Sequence, residues 1–210
     1  METSKVKILF YLIILNLNVY SQDTLFSAKD IFLSNRPIGG FTFSVSGGIN
    51  FPFRKLRVQW GIGYNLSANA GYIFSKLTGC RLDISYSSFE PEMDSYIKEV
   101  SGGRFKITSI RGDYLIGNFQ KNLNMIPYGF IGFGIYFKNI EDLNYFEPYI
   151  GPVMIEGKNE SEFGIAFGYG TNFKISSNIF LFGEIQYNLG FGNEPVSAFL
   201  PVKAGIMLIP

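Results

Sequence analysis

From Phe41 to Phe53 every odd position except Gly47 is apolar (Phe41, Phe43, Val45, Ile49, Phe51, Phe53), while Thr42, Ser44, Ser46, Gly48 and Asn50 between them are small or polar. Side chains of a strand alternate between two faces, so this run has one oily face and one polar face. The next run repeats the pattern on even positions: Trp60, Ile62, Tyr64, Leu66, Ala68, Ala70, Tyr72 and Phe74 against Gly61, Gly63, Asn65, Ser67, Asn69 and Gly71. Both runs exceed the usual soluble strand of about five or six residues and match the roughly 9 to 11 needed to cross a bilayer obliquely.

Six more runs follow, at about 77–88, 105–118, 126–137, 162–174, 178–190 and 198–209. The clearest are Cys80, Leu82, Ile84 and Tyr86 against Arg81, Asp83 and Ser85, and Ile131, Phe133, Ile135 and Phe137 against Gly132, Gly134 and Tyr136. The run at 105–118 alternates least well. Connections alternate in length: 75–76, 120–124 and 176–177 are tight turns, whereas 89–104 and 138–161 are long, with shorter ones at 54–59 and 191–197. Membrane barrels show this asymmetry, with short turns on one side and long loops on the other.

A soluble barrel turns its oily face inward and a membrane barrel turns it outward, so alternation alone does not choose. Side-chain type does. The second face is crowded with Gly, Ala, Ser, Asn and Thr instead of the Lys and Glu of a solvated sheet. Lys and Glu gather in the connections, at Glu90, Glu92, Asp94, Lys98 and Glu99 and again from Glu141 to Glu162. The chain therefore reads as all-β, an eight-stranded antiparallel up-and-down transmembrane β-barrel spanning residues 40–210, with small side chains in a narrow lumen. Six charges fall on the lumen face: Arg81, Asp83, Arg111, Asp113, Glu184 and Lys203. Two readings stay open for them, an ion-paired plug and a gated ion path.

Ahead of the barrel, Lys5 and Lys7, the apolar Ile8 to Leu15 and the small Val19 and Ser21 read as a secretory signal over residues 1–21, followed by a periplasmic lead-in at 22–39. The whole chain has 18 basic and 17 acidic residues; residues 1–21 hold Lys5, Lys7 and Glu2, so the remainder is neutral. A nucleic-acid partner lacks its usual basic footprint. The lone Cys80 permits no internal disulfide.

Histidine is absent from the sequence. That removes the imidazole base of ordinary hydrolytic triads and the common His and Cys zinc sites, so neither an enzyme nor a cofactor is expected. Gly129, Gly132 and Gly134 lie on an alternating strand with no following helix, which fits close packing and not a phosphate cradle. Within the longest loop Tyr145, Phe146, Tyr149, Ile150 and Met154 are more apolar than solvation requires. They read either as a contact surface or as a hairpin continuing the strands above the membrane and packed on the 89–104 loop.

Taken together, the stretches Ile126-Pro-Tyr-Gly-Phe-Ile-Gly-Phe-Gly-Ile-Tyr136, Phe182-Gly-Glu-Ile-Gln-Tyr187 and Leu200-Pro-Val-Lys-Ala-Gly-Ile206 resemble the eight-strand outer membrane β-barrel family of OmpA-like and opacity-type domains. The Tyr20-Ser21 before Gln22 resembles signals of Bacteroidetes-type Gram-negative bacteria. The chain departs from the resemblance at Leu208-Ile209-Pro210, where such barrels usually end on an aromatic residue. The resemblance implies a monomer in bacterial outer membrane lipid, offering its loops to a protein or surface ligand. A narrow ion or solute channel and a secreted soluble lipid-binding barrel are the alternatives.

Overall fold

The alternating runs become long strands because each can pair on both sides while sending its two faces to different surroundings. The computed structural model describes residues 40–53, 56–92, 98–120, 123–147, 151–192 and 197–209. The signal and lead-in assigned to 1–39, together with Tyr149 and Ile150, lie outside the described residues. Eight strands form the wall: β1 (Gly40–Phe53), β2 (Trp60–Ile73), β3 (Thr78–Pro91), β5 (Phe105–Gly117), β6 (Met125–Ile140), β9 (Lys158–Lys174), β10 (Ile179–Phe191) and β11 (Ser197–Leu208). One helical turn, α1 (Leu56–Gln59), links β1 to β2, and three short strands, β4 (Lys98–Gly102), β7 (Leu143–Glu147) and β8 (Gly151–Ile155), stand in the long connections.

Each wall strand pairs antiparallel with its neighbours in the order β1-β2-β3-β5-β6-β9-β10-β11, and β11 returns to β1. Closure is well registered: Ile49 sits opposite Val202 on one side and Tyr64 on the other. No wall strand is left with an unpaired edge, which in a bilayer is a condition of existence.

The oily faces point outward. Val45, Ile62 and Leu66 are 63%, 63% and 56% exposed, whereas Asn50, Asn65 and Asp83 on the opposite faces are buried. That orientation excludes the soluble lipid-binding barrel, whose apolar face would line the interior. From Phe41 to Phe53 the oily stripe of β1, at about 3.3 Å per residue and a tilt near 45°, projects to roughly 28 Å along the barrel axis, close to the roughly 25 Å apolar band of a membrane barrel. Rings pair near both ends of the band: Phe41 with Tyr72 at 5.1 Å, Phe74 with Tyr114 at 6.3 Å, and Phe53 with Tyr187 at 6.1 Å.

One feature differs from the sequence reading. The lumen is not filled by small and charged groups alone. Buried Ile73, Leu115, Phe119, Ile126, Tyr128, Phe130 and Phe180 form one apolar layer toward the short turns. Leu56, Phe89, Phe105, Ile107, Tyr136 and Phe199 form another toward the long connections. Glycines make the room: a methyl group on Gly164 would collide with the Tyr136 ring, one on Gly170 would come within 2.5 Å of Tyr128, and one on Gly168 within 2.7 Å of Phe130.

The hairpin expected to continue the strands above the membrane is present: β4, β7 and β8 continue β5, β6 and β9 beyond the barrel as a three-stranded sheet. Registers carry across the break: Phe105 faces Ile140 and Gly102 faces Leu143, while Ile140 faces Lys158 and Leu143 faces Ile155. Among the described residues the wall thus rises on this side only. At the break Gly102 and Gly103 take φ of 79° and 73°, a left-handed conformation that glycine adopts without the penalty other residues meet.

Leu66→Lys and Ile165→Lys place an ammonium on the outer face, where the penalty near mid-bilayer is about 2–4 kcal/mol. Each variant is expected to yield less heat-modifiable folded barrel in lipid vesicles than the parent; folding yields equal to the parent for both would contradict the outward assignment.

Candidate functional site: the lumen plug and the outer sheet

The six sequence-assigned lumen charges lie between the two apolar layers. Backbone register sets their first contacts, because Arg81 on β3 stands opposite Asp113 on β5, Asp83 opposite Arg111, and Glu184 on β10 opposite Lys203 on β11. Alternation keeps Arg81 and Asp83, and Arg111 and Asp113, two residues apart on the same inward face.

Side chains then tie the opposite walls together. Arg81 Nε donates to Asp113 Oδ2 at 2.8 Å, while its Nη1 and Nη2 grip Glu184 at 2.6 and 3.1 Å in a bidentate pair across the lumen. Arg111 Nε donates to Asp113 Oδ1 at 2.5 Å and its Nη1 to Asn188 Oδ1 at 2.9 Å. Lys203 Nζ reaches Asp83 Oδ2 at 3.2 Å and Ser67 Oγ at 3.1 Å, with Glu184 Oε1 at 3.6 Å. The Tyr128 hydroxyl donates to Glu184 Oε2 at 2.8 Å, and Arg81 lies 4.5 Å above the Phe130 ring.

Three cations face three anions, every one of these side chains is at most 8% exposed, and the cluster is neutral. Isolated charges in such surroundings would be very costly, so the arrangement depends on completeness. An ion crossing here meets a neutral, ion-paired cluster bounded on either side by apolar layers. A cavity of about 30 Å³ at the short-turn end, lined in part by Thr42, Asn69, Arg81 and Tyr128, is large enough to admit water.

Sequence alternation puts Tyr136, Gln186 and Asn188 on the lumen face without joining them to the charge network, and it leaves Tyr128 unassigned. Tyr128, Tyr136, Gln186 and Asn188 bond directly to the charged groups or to each other, and Tyr136 donates to Asn188 at 3.1 Å. A second ion pair, Lys138 with Glu162, is buried in the lumen nearer the long connections. Lys138 keeps the phase of Tyr136, which was the available signal; placing the strand end at 137 left Lys138 in the connection, with Glu162 at the first residue of the next run.

Cys80 is exposed on the outer face, and among the described residues no group of three or more His, Cys, Asp or Glu is placed to hold a metal ion. Among the same residues no helix is long and apolar enough to cross a membrane, a statement that leaves crossing by strands untouched.

The loop residues fall on the outer sheet. Phe146 and Met154 are 42% and 64% exposed, and Tyr145 is half-buried. Phe146 stands opposite Pro152, and Asn144 opposite Met154. The base of the sheet is knitted to the barrel: Gly103 N donates to Asp142 O at 3.0 Å, Gly157 N to Asp142 Oδ1 at 2.7 Å, Glu141 N to Arg104 O at 3.0 Å, and Trp60 Nε1 to Gly103 O at 3.2 Å. The hairpin does continue the strands and pairs with a strand of the 89–104 loop, yet it leaves Phe146 and Met154 uncovered.

Glu184→Gln removes the carboxylate shared by Arg81, Lys203 and Tyr128 and is expected to destabilise the barrel by about 3–5 kcal/mol in urea titrations, since it strands buried cations. Removing Arg81 and Glu184 together as leucines keeps two cations against two anions, so most of that loss should return. A double variant whose loss equals or exceeds that of Glu184→Gln would contradict the reading.

No protein-family model and no curated protein sequence matches this chain. Solved structures do. Neisserial surface protein A aligns over 81% of this chain and 97% of its own at 15% identity, with a TM-score of 0.56. A major outer membrane protein from Thermus thermophilus aligns over 80% and 98% at 15% identity with a TM-score of 0.49. The outer membrane protein OprG from Pseudomonas aeruginosa aligns over 84% and 98% at 13% identity, also with a TM-score of 0.49. At these identities the likeness to the Neisserial protein establishes the fold alone, a closed antiparallel barrel of eight strands.

Proposed function

We propose that this chain is a non-enzymatic protein of the bacterial outer membrane, a non-conducting barrel whose one-sided outer sheet presents a contact surface to another protein or a surface ligand. The observation that carries the reading is the pairing of a neutral, packed lumen with an ordered extension that rises from β5, β6 and β9. A closed sheet meets every backbone hydrogen-bond requirement in hydrocarbon, and a filled interior blocks solute flow. The Neisserial barrel of the same fold is, by its name, a surface protein.

The sheet supports the contact role through what it exposes. Phe146, Pro152 and Met154 share one face of β7–β8, and uncovered apolar patches on ordered scaffolds commonly mark recognition surfaces. Their removal should not reach the barrel, because the latch at Asp142 and the wall registers lie below them.

In planar bilayers the protein is expected to give no unitary conductance, and regular channel steps would replace this reading with that of a narrow pore. On intact cells a photo-crosslinking side chain at position 146 should form adducts with a surface component, whereas one at position 66, on the lipid face, should not. Absence of adducts at 146 would contradict a contact role for the sheet.

A further inference from the structure

On the outer wall, backbone register aligns small residues across five strands. Gly47 on β1 stands opposite Ala204 on β11, Ala204 opposite Gly183 on β10, Gly183 opposite Thr171 on β9, and Thr171 opposite Pro127 on β6. Two residues to one side runs a line of Ile49, Val202, Ile185 and Tyr169, and two residues to the other a line of Val45, Ile206, Leu181 and Phe173, all exposed. The small row is the floor of a groove between these ridges. Unlike the inward glycines, its glycines are not slots for a neighbouring ring: a methyl group on Gly183 would have nothing within 4 Å, and one on Gly47 would meet Leu66 at an ordinary 3.4 Å.

The groove slopes across one half of the wall. Gly47 lies seven residues from the short-turn end of β1 at Gly40, Ala204 and Gly183 each four from the corresponding ends of β11 and β10, Thr171 three from that of β9, and Pro127 two from that of β6. At about 4.8 Å between strands the four steps cover about 19 Å, and a strand tilt near 45° makes that a descent of about 14 Å, close to the roughly 15 Å of hydrocarbon in one leaflet. Near the low end Thr171 is only 9% exposed, and its hydroxyl makes no hydrogen bond to a described residue. A hydroxyl in apolar surroundings is costly until it finds a partner.

We infer that this groove seats one acyl chain of a phospholipid from the short-turn leaflet, with the Thr171 hydroxyl donating to the ester carbonyl at the head of that chain. The inference rests on the proposal that the barrel is inserted in a membrane, and it adds a specific lipid contact. The groove is continuous with the lipid-facing band, so its occupant is drawn from the bilayer. Its length fits a single chain within one leaflet, and its one unpaired polar group lies toward the end where an ester belongs.

The test refolds the full chain in vesicles of diester phosphatidylglycerol or of its diether analogue, extracts the folded barrel into detergent, and counts retained phospholipid by native mass spectrometry. With the diester the parent should hold one molecule. Gly183→Leu raises the floor and should cut retention about tenfold. Gly112→Leu should match the parent, because that outward glycine has equal room but stands between Leu82 and Phe133. Thr171→Val should lose about fivefold with the diester and nothing with the diether, which offers no carbonyl. Equal retention by the parent, Gly183→Leu and Gly112→Leu would overturn the inference, as would a Thr171→Val variant that holds the diester as the parent does. A lipid-free dimer that Gly183→Leu dissociates would overturn it in favour of a second copy. Failure of the parent to fold into vesicles would overturn insertion itself and the inference with it.

Discussion

Hydrocarbon offers no hydrogen-bond partner, and the rest of the structure follows from that. A strand exposed to lipid must find all its backbone partners in other strands, so the sheet has to close on itself. The β1–β11 ladder, running from Phe43 opposite Leu208 to Phe53 opposite Ala198, makes that closure. With backbone groups paired, the outer surface is free to be as apolar as the solvent it meets, and Val45, Ile62, Leu66 and Ile131 occupy it.

Closure creates a second problem, because eight strands enclose a space only about wide enough for side chains. The chain fills it in layers. Aromatic and aliphatic groups close each end, and the neutral cluster of Arg81, Asp83, Arg111, Asp113, Glu184 and Lys203 occupies the middle. Inward glycines such as Gly164, Gly168 and Gly170 are slots for the rings of the neighbouring strand. The cluster also fixes register. Its β3–β5 and β10–β11 pairs stand directly opposite one another, so a slip of one residue would break those pairs and turn charges toward lipid.

Legibility in the sequence tracks how different the two faces of each strand are. In β1 and β2 lipid lies on one side and Ser, Asn and Gly on the other, and Phe41, Val45, Leu66 and Tyr72 are assigned to the correct face from period alone. β5 reads poorly for a physical reason. Its inward Phe105, Ile107 and Leu115 serve the apolar layers while its outward Ile110, Tyr114 and Ile116 meet lipid, so both faces are oily and the period fades. The lumen charges were readable as residues sharing a face, but the bonds from Tyr128 and Asn188 depend on rotamers and on strands distant in sequence. The outer sheet was the least legible element. Above the barrel neither face of β7 or β8 is buried against lipid or lumen, so nothing demands alternation, although the register of the wall continues into them.

The most direct test of this account is contact between named methyl groups and lipid. In nuclear Overhauser spectra of the protein in nanodiscs, the methyls of Leu66, Ile110, Ile131 and Val202 should show cross-peaks to acyl-chain protons, and those of Ile107 and Leu115 should show none. Water cross-peaks at the first group, or acyl-chain cross-peaks at the second, would contradict an oily exterior around a packed, ion-paired lumen.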